Sequence, residues 1–119
     1  MSVKIQFFDN INEDKIPIIR LTKSSNKKTG TATFLFIFPT LFKTALWKKK
    51  PLLKLSLFWK NNKTKHLIST SDLKIIFKNG KPFLIKSIFL FKNSKEWFEF
   101  LNFMQFDSKE RGLSFLPSS

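Results

Sequence analysis

Side chains able to carry out covalent or metal chemistry are scarce in this chain. It contains one histidine, no cysteine and eight acidic residues among 119. The absence of cysteine excludes thiolate metal sites, cysteine nucleophiles and a disulfide framework. His66 stands between Lys65 and Leu67 beside a turn-prone stretch, a position that suits a surface imidazole better than a catalytic base or a metal ligand. We therefore expect no catalytic residue and no metal site.

The acidic residues are too dispersed to form the carboxylate pair that acid–base catalysis needs. Glu96 and Glu99 are predicted on the polar side of a helix, where local pairing with Lys95 accounts for both. The sequences around Gly30 and Gly80 lack the remaining elements of a phosphate-binding loop. We therefore expect no enzymatic activity, no cofactor and no small-molecule substrate. The eight acids are Asp9, Glu13, Asp14, Asp72, Glu96, Glu99, Asp107 and Glu110.

Net charge is the strongest compositional signal, at +14 with an isoelectric point near 10.3. Such a charge is typical of proteins that bind nucleic acid or anionic lipid. All but two of the 22 basic residues are lysines, however, whereas bidentate recognition of phosphate and guanine favours arginine. A basic nucleic-acid-binding domain is the alternative function, and nucleic acid is not the expected partner. A third hypothesis is attachment to anionic lipid through residues 43–54, where three consecutive lysines follow Trp47.

Neither a targeting segment nor a membrane span is predicted. The N-terminal sequence MSVKIQFFDN lacks the basic and apolar regions of a signal peptide. The longest apolar run covers residues 32–42 and contains Pro39, well short of the roughly 20 residues that span a bilayer. We expect the protein to act in the compartment where it is made.

Most of the chain is predicted to form β-strands, because short apolar runs with alternating polarity are separated by turn-prone clusters. In residues 31–38 every second position from Ala32 to Phe38 is apolar, so this face must be buried. Residues 40–50 are ambiguous between a short helix and a basic loop. The predicted strands are residues 3–8, 16–22, 31–38, 53–60, 73–78 and 81–91.

The strongest local signal is the pair Asn79-Gly80 between two apolar runs. Both central residues of a type I′ turn need a positive φ, which asparagine and glycine tolerate best, so a tight antiparallel hairpin is predicted. Pro82 should then mark an end or an edge of the returning strand. Strict alternation across the hairpin places Lys86 on the same face as Leu73, which predicts a sheet partly covered on both sides.

Only the C-terminal region shows helical periodicity. Asn93 and Glu96 form a predicted capping pair, and Gly112 after basic residues supplies an end signal. An apolar stripe at helical spacing should pack on the sheet, and residues 116–119 should be frayed. The stripe consists of Trp97, Phe100, Leu101 and Met104, whereas Phe98, Phe103 and Phe106 fall outside it.

These patterns predict the α+β class with a predominance of β structure. The expected architecture is a single domain, residues 1–119 with an ordered core of about 3–115, built on a twisted antiparallel sheet with a short C-terminal helix packed on it. A chain of this length should bury roughly two thirds of its unfolded surface without disulfides.

Several motifs, in order along the chain, resemble those of the photosystem II subunit twenty-eight (Psb28) family of small soluble assembly factors. The resemblance covers nearly the whole chain, and the spacing from residue 77 to the C-terminus is free of gaps. The motifs are IQF at residues 5–7, INE at 11–13, IP at 16–17, RLT at 20–22, GTATF at 30–34, FKNGKP at 77–82, EW at 96–97, FM at 103–104 and GLSF at 112–115.

The resemblance implies a peripheral, non-catalytic protein without pigment or metal. Its implied partners are photosystem II reaction-centre assembly intermediates that contain the chlorophyll-binding antenna protein CP47, bound transiently. The implied location is the thylakoid membrane, on its stromal side in a plastid or its cytoplasmic side in a cyanobacterium. The implied fold is β-rich and antiparallel with short helices.

Our hypothesis for the mechanism is that an exposed sheet edge captures loops or tails of membrane subunits. An open edge can add an extended segment through main-chain hydrogen bonds. Two locations are predicted for this edge, although turn and strand formation alone also accounts for the residues concerned. The candidate residues are Arg20, Thr22, Lys23, Thr31 and Thr33 at the first location, and Asn79, Gly80 and Lys81 at the hairpin.

Overall fold

Strands form most of the structure, and a helix follows them near the C-terminus. The computed structural model describes residues 3–23, 29–111 and 116–117. Three short 3-10 turns cover Thr40–Lys43, Ala45–Lys48 and Lys50–Leu52. This content confirms the predicted β-rich α+β class. The elements are β1 Val3–Phe8, β2 Ile11–Asn12, β3 Ile18–Lys23, β4 Gly30–Ile37, β5 Leu55–Asn61, β6 Thr64–Thr70, β7 Leu73–Lys78, β8 Lys81–Phe91, α1 Ser94–Arg111 and β9 Leu116–Pro117.

The described strands form two sheets, where the sequence predicted one. The four-stranded sheet has the order β2-β1-β5-β6, and the five-stranded sheet has the order β7-β8-β4-β3-β9. Paired strands are antiparallel except for the parallel pair of β3 with β9. Two sheets that are each strongly apolar on one face can bury those faces against each other, which accounts for the division.

Phenylalanine side chains fill much of the space between the two sheets. Phe7 of β1 and Phe36 of β4 meet edge to face with ring centroids 4.8 Å apart, so the sheets contact each other directly. Helix α1 contacts both sheets, and its Phe100 lies 6.1 Å from Phe34 of β4 between ring centroids. All four rings are buried. The core is therefore shared by both sheets and the helix.

The hairpin predicted from Asn79-Gly80 is present, with φ of 54° at Asn79 and 78° at Gly80. Pro82 lies near the beginning of β8, before Leu84, which is the first β8 residue in register with β4. Its missing N–H therefore removes no bond from that pairing, as expected for a proline at a strand end.

A β-bulge beyond this turn changes which side chains share a face. Phe83 is the extra residue, since its two neighbours in β8 pair with consecutive residues of β7. The register shifts by one position, so Leu73 lies opposite Ser87 and is buried. The prediction that Leu73 shares a face with Lys86 was wrong. Lys86 instead lies opposite Lys74.

Strand β4 ends one residue earlier than predicted. Ala32, Phe34 and Phe36 are buried as expected, but Phe38 is 52% exposed. The φ of Phe38 is 47°, in the left-handed region, so the chain turns after Ile37 and the ring leaves the core face. The prediction that Phe38 is buried was therefore wrong.

Helix α1 begins with the predicted cap. The Asn93 side-chain oxygen accepts a hydrogen bond from the Glu96 N–H at 3.0 Å, and the Glu96 carboxylate accepts one from the Lys92 N–H at 2.7 Å. The helix has 18 residues, Ser94–Arg111, and lies between the predicted cap at Asn93 and the predicted end signal. The predicted end signal, Gly112, lies outside the described residues.

The buried face of α1 is wider than the predicted stripe. Trp97, Phe100 and Met104 are buried as expected, and Phe103 is fully buried as well. The wider face follows from the contacts of α1 with both sheets. Phe98 remains on the water side and is 66% exposed.

The chain beyond α1 is not frayed at residues 116 and 117, contrary to the prediction for 116–119. Leu116 and Pro117 pair with Arg20 and Leu21 as a short parallel strand. The pairing satisfies part of the outer edge of β3, which accounts for the order of these two residues.

Candidate protein-binding surface

Four of the predicted binding residues lie together on the outer face of the five-stranded sheet. Arg20 of β3 is opposite Thr33 of β4, and Thr22 is opposite Thr31. Alternate residues of a strand point to the same face, so these two cross-strand pairs are neighbours. Arg20 and Thr22 are exposed, and the two threonines of β4 are half-buried. We call these four residues the β3 patch.

Only part of the β3 patch lies at a sheet edge. Strand β4 is interior, between β8 and β3, so Thr31 and Thr33 present side chains but no open backbone. The other side of β3 pairs, within the described part of the chain, only with Leu116 and Pro117. The open backbone at this edge therefore belongs to the residues of Ile18–Lys23 that this short pairing leaves uncovered.

Lys23 is separated from the β3 patch although it follows Thr22 in sequence. It lies opposite Gly30, and its Nζ is 5.5 Å from the centroid of the Trp97 ring. This cation–π contact joins the end of β3 to the beginning of α1. Gly30 permits the close approach, because a Cβ there would lie 2.8 Å from the carbonyl oxygen of Thr22 and 2.9 Å from Cζ3 of Trp97.

The remaining predicted residues, Asn79, Gly80 and Lys81, form the exposed tip of the β7–β8 hairpin. They are distant from the β3 patch because Thr31 pairs with the other end of β8, at Leu90. Leu90 lies nine residues beyond Lys81, which is about 30 Å at roughly 3.3 Å per residue. The structure therefore divides the predicted residues between two surfaces.

Apolar side chains surround the β3 patch on the outer face of the sheet. Ile18, Ile37 and Leu90 are 40, 44 and 61% exposed, respectively. The sequence indicated part of this surface, since Leu35 and Ile37 are apolar residues on the face of β4 opposite its phenylalanines. An exposed apolar face of this kind is typical of a surface that binds another macromolecule.

A buried acid missed by the sequence analysis connects β1 to the 3-10 turns. Glu13 is 2% exposed, and its carboxylate accepts hydrogen bonds from the Thr40 N–H at 2.6 Å and the Leu41 N–H at 3.0 Å. Its own N–H donates to the Ile5 carbonyl at 2.8 Å. In the sequence, the only feature that singled out Glu13 was its position in the INE motif at residues 11–13. Glu13 therefore positions the chain that follows Pro39.

The described part of the chain places the histidine against an aromatic ring and groups no acids into a metal site. The His66 ring stacks on Trp59, with centroids 5.0 Å apart and planes inclined by 14°. Within residues 3–23, 29–111 and 116–117, no three His, Cys, Asp or Glu side chains are grouped in a way that could hold a metal ion. In that same part of the chain, no helix combines the length and apolar character needed to cross a membrane.

A partly open strand edge beside an exposed apolar sheet face, built on a shared aromatic core, describes a small β-rich two-sheet domain as the class of protein. The comparison with known proteins specifies the family. A family model described as "Psb28 protein" matches residues 5–115, and this chain belongs to that family.

Individual members of the family are similar to this chain over nearly their whole length. The protein named "Photosystem II reaction center Psb28 protein" in Pyropia yezoensis is 35% identical over 115 residues, which cover 97% of this chain and 96% of the relative. The protein of the same name in Phaeodactylum tricornutum is 34% identical over 119 residues and all of both chains. That of Cyanidioschyzon merolae is 33% identical over 114 residues, or 96% and 97% of the two chains. The predicted family resemblance is confirmed.

Proposed function

We propose that this protein is a non-catalytic assembly factor of photosystem II that binds transiently to reaction-centre intermediates containing CP47. It acts as a peripheral protein on the stromal or cytoplasmic face of the thylakoid membrane. The observation that carries the proposal is the match to the Psb28 family over nearly the whole chain. The names of the algal relatives, which associate those proteins with the photosystem II reaction center, support it further.

The edge of β3 supports a mechanism for this binding. A strand edge accepts an extended segment through main-chain hydrogen bonds, while alternate side chains set its register. Leu116 and Pro117 already occupy this edge at Arg20 and Leu21, so a partner segment would pair with the remaining residues of Ile18–Lys23. Arg20 places an exposed cation beside the edge, which favours a partner segment that carries carboxylates.

The hairpin tip is the second location to which the same mechanism applies. Among the described strands, β7 is the outermost on its side of the five-stranded sheet, and it leads into Asn79 and Gly80. Lys78 and Lys81, a cross-strand pair, are both exposed at the tip. A partner segment that paired with β7 would therefore also meet positive charge.

Three matched substitutions distinguish these surfaces. Arg20→Glu reverses a charge in the β3 patch, Lys81→Glu reverses one at the hairpin tip, and Lys65→Glu reverses one on β6 of the other sheet. All three side chains are exposed, so each variant changes the net charge equally and leaves the core intact. The measurement is co-migration of each variant with photosystem II subunits from solubilised thylakoids.

We expect the wild-type protein and Lys65→Glu to co-migrate, and Arg20→Glu to bind about tenfold less, as for loss of a charged contact in an interface. A loss confined to Lys81→Glu would assign binding to the hairpin tip instead. Unchanged binding by both variants would refute the sheet-edge mechanism. A wild-type protein that co-migrates with no photosystem II subunit would refute the proposed function.

A further inference from the structure

Aromatic side chains from three parts of the chain form two separate ring pairs near the end of the molecule that carries the β7–β8 turn. Trp47 of the second 3-10 turn lies 5.9 Å from Phe77 of β7 between ring centroids. Phe38, which follows β4, lies 5.2 Å from Phe83 of β8. We call Phe38, Trp47, Phe77 and Phe83 the aromatic end.

Large apolar surfaces are exposed at the aromatic end and on the three 3-10 turns, residues 40–52, which we call the 3-10 segment. Phe38 and Phe77 are each 52% exposed, and Leu52 in the third 3-10 turn is 63% exposed. Phe42 packs against Trp47, with centroids 6.1 Å apart. The exposed rings are therefore held in place by neighbouring rings, and they do not depend on a partner for their position.

Lysine side chains border the same rings. Lysine nitrogens lie between 5.2 and 6.0 Å from the centroids of three rings of the aromatic end. The chain has no acidic residue between Asp14 and Asp72 or between Asp72 and Glu96, so every charged side chain in these two segments is positive. Two acids approach the 3-10 segment: Asp9, beside Leu52 and Lys54, and the buried Glu13 at its first turn. The ring contacts are Lys48 with Trp47, Lys78 with Phe83 and Lys15 with Phe38, and Lys43, Lys49, Lys50 and Lys81 are further exposed lysines on the same segments.

We propose that the aromatic end binds directly to an anionic lipid surface. Half-exposed aromatic rings suit the boundary between headgroups and acyl chains, while the charged ends of nearby lysines stay in water. The lysines are attracted to anionic headgroups, which adds to the contact made by the rings. The inference goes beyond the proposed function, because lipid binding requires no photosystem subunit.

Two observations favour lipid over a peptide or a nucleic acid. Backbone N–H groups at residues 42, 44, 49, 52 and 53 each donate to the carbonyl three residues earlier, so the 3-10 segment, unlike the edge of β7, offers no open edge to an extended peptide. The exposed apolar surface also includes the aliphatic side chains of Leu52 and Ile37. Nucleic-acid bases stack on aromatic rings, whereas aliphatic side chains provide no such platform.

Vesicle flotation with the purified full-length protein tests this proposal. The wild-type protein should float with vesicles of equal parts phosphatidylglycerol and phosphatidylcholine, and should not float with phosphatidylcholine alone. Replacing Lys48, Lys49 and Lys50 together by Gln should lower the ratio of bound to free protein by about 100-fold, because each of the three lysines near an anionic surface contributes roughly fivefold.

Two control variants separate local contact from total charge and from loss of folding. Replacing Lys60, Lys63 and Lys65 by Gln removes the same charge at the β5–β6 turn, the far end of β5 from the 3-10 segment, and should leave binding within about threefold of wild type. Leu52→Ser should weaken flotation without a change in thermal unfolding. Phe98→Ser, at an exposed position on α1, should leave flotation unchanged.

The proposal is overturned if the wild-type protein ignores phosphatidylglycerol, or if the two lysine variants lose binding equally. It is also overturned if single-stranded RNA retains the protein more strongly than the vesicles at the same salt concentration. Failure of flotation together with intact co-migration with photosystem II would refute lipid binding alone. Intact flotation without co-migration would refute the proposed function alone.

Discussion

Replacing Glu13 by Gln should break a hydrogen bond inside the protein while changing the shape of the side chain very little. Oε1 of Glu13 accepts from the Thr40 N–H at 2.6 Å, and Oε2 accepts from the Leu41 N–H at 3.0 Å. Glutamine has one carbonyl oxygen and one NH2 group, so one backbone N–H would face another donor. The side chain is 2% exposed, so water has little access to replace the lost acceptor.

The expected loss in the free energy of unfolding is about 2–4 kcal/mol. A hydrogen bond to a charged group contributes roughly 1.5–3 kcal/mol, and the buried donor left without an acceptor adds a penalty. With a urea dependence of roughly 2 kcal/mol per M, the urea midpoint should fall by about 1–2 M. Amide protons of Thr40 and Leu41 should also lose protection in hydrogen exchange, because their acceptors are the ones altered.

Glu96→Gln is the matched control for this experiment. The Glu96 carboxylate accepts a hydrogen bond from the Lys92 N–H at 2.7 Å and is partly exposed, so the glutamine carbonyl can keep that bond. Only the favourable charge at the helix beginning is removed, which costs about 0.3–1 kcal/mol. Equal urea midpoints for Glu13→Gln and Glu96→Gln would refute the reasoning that both oxygens of Glu13 are required.

Two further predictions concern packing around the helix. Gly30→Ala should destabilise the protein by about 1–3 kcal/mol, because the new Cβ would lie 2.8 Å from a backbone oxygen of Thr22; an unchanged Tm would contradict this. Phe100→Ala should cost about 3–5 kcal/mol because its ring is fully buried. Phe98→Ala should cost less than about 0.5 kcal/mol since that ring is 66% exposed. Equal urea midpoints for the two phenylalanine variants would show that the helix faces are assigned wrongly.

Features that depend on a few adjacent residues were predictable from the sequence. The Asn79-Gly80 turn has the two positive φ angles that its residue types indicated. The Asn93 and Glu96 side chains form the predicted cap, although Glu96 reaches the Lys92 N–H. In each case the atoms that determine the geometry lie within a few residues, so no knowledge of the rest of the fold was required.

Features that depend on long-range packing were not predictable in the same way. The bulge at Phe83 reverses the face of Leu73, and no pattern in either strand marks the inserted residue. Phe103 is buried because α1 contacts two sheets, whereas the predicted apolar stripe assumed that the helix packs on a single sheet. Periodicity describes which side chains of an element share a face, but the number of faces covered depends on its neighbours.

The candidate binding residues were grouped correctly only where strand register joins them. Arg20 and Thr33 are neighbours because β3 and β4 pair in this register. Lys23 is adjacent in sequence but contacts Trp97, since alternate residues of a strand point to opposite faces. The hairpin tip lies at the other end of β8, a separation set by the length of that strand.

Net charge and partner binding are separable in this molecule. The β3 patch contains one cation, Arg20, among threonines and apolar neighbours, whereas several lysines border the aromatic end. Exposed charges are screened over about 10 Å at 0.1 M salt, but the main-chain hydrogen bonds of an added strand are not. The net charge of +14 therefore bears mainly on the proposed lipid contact. Recognition of a partner segment depends instead on the open backbone of β3 and on the single charge of Arg20, neither of which the net charge reveals.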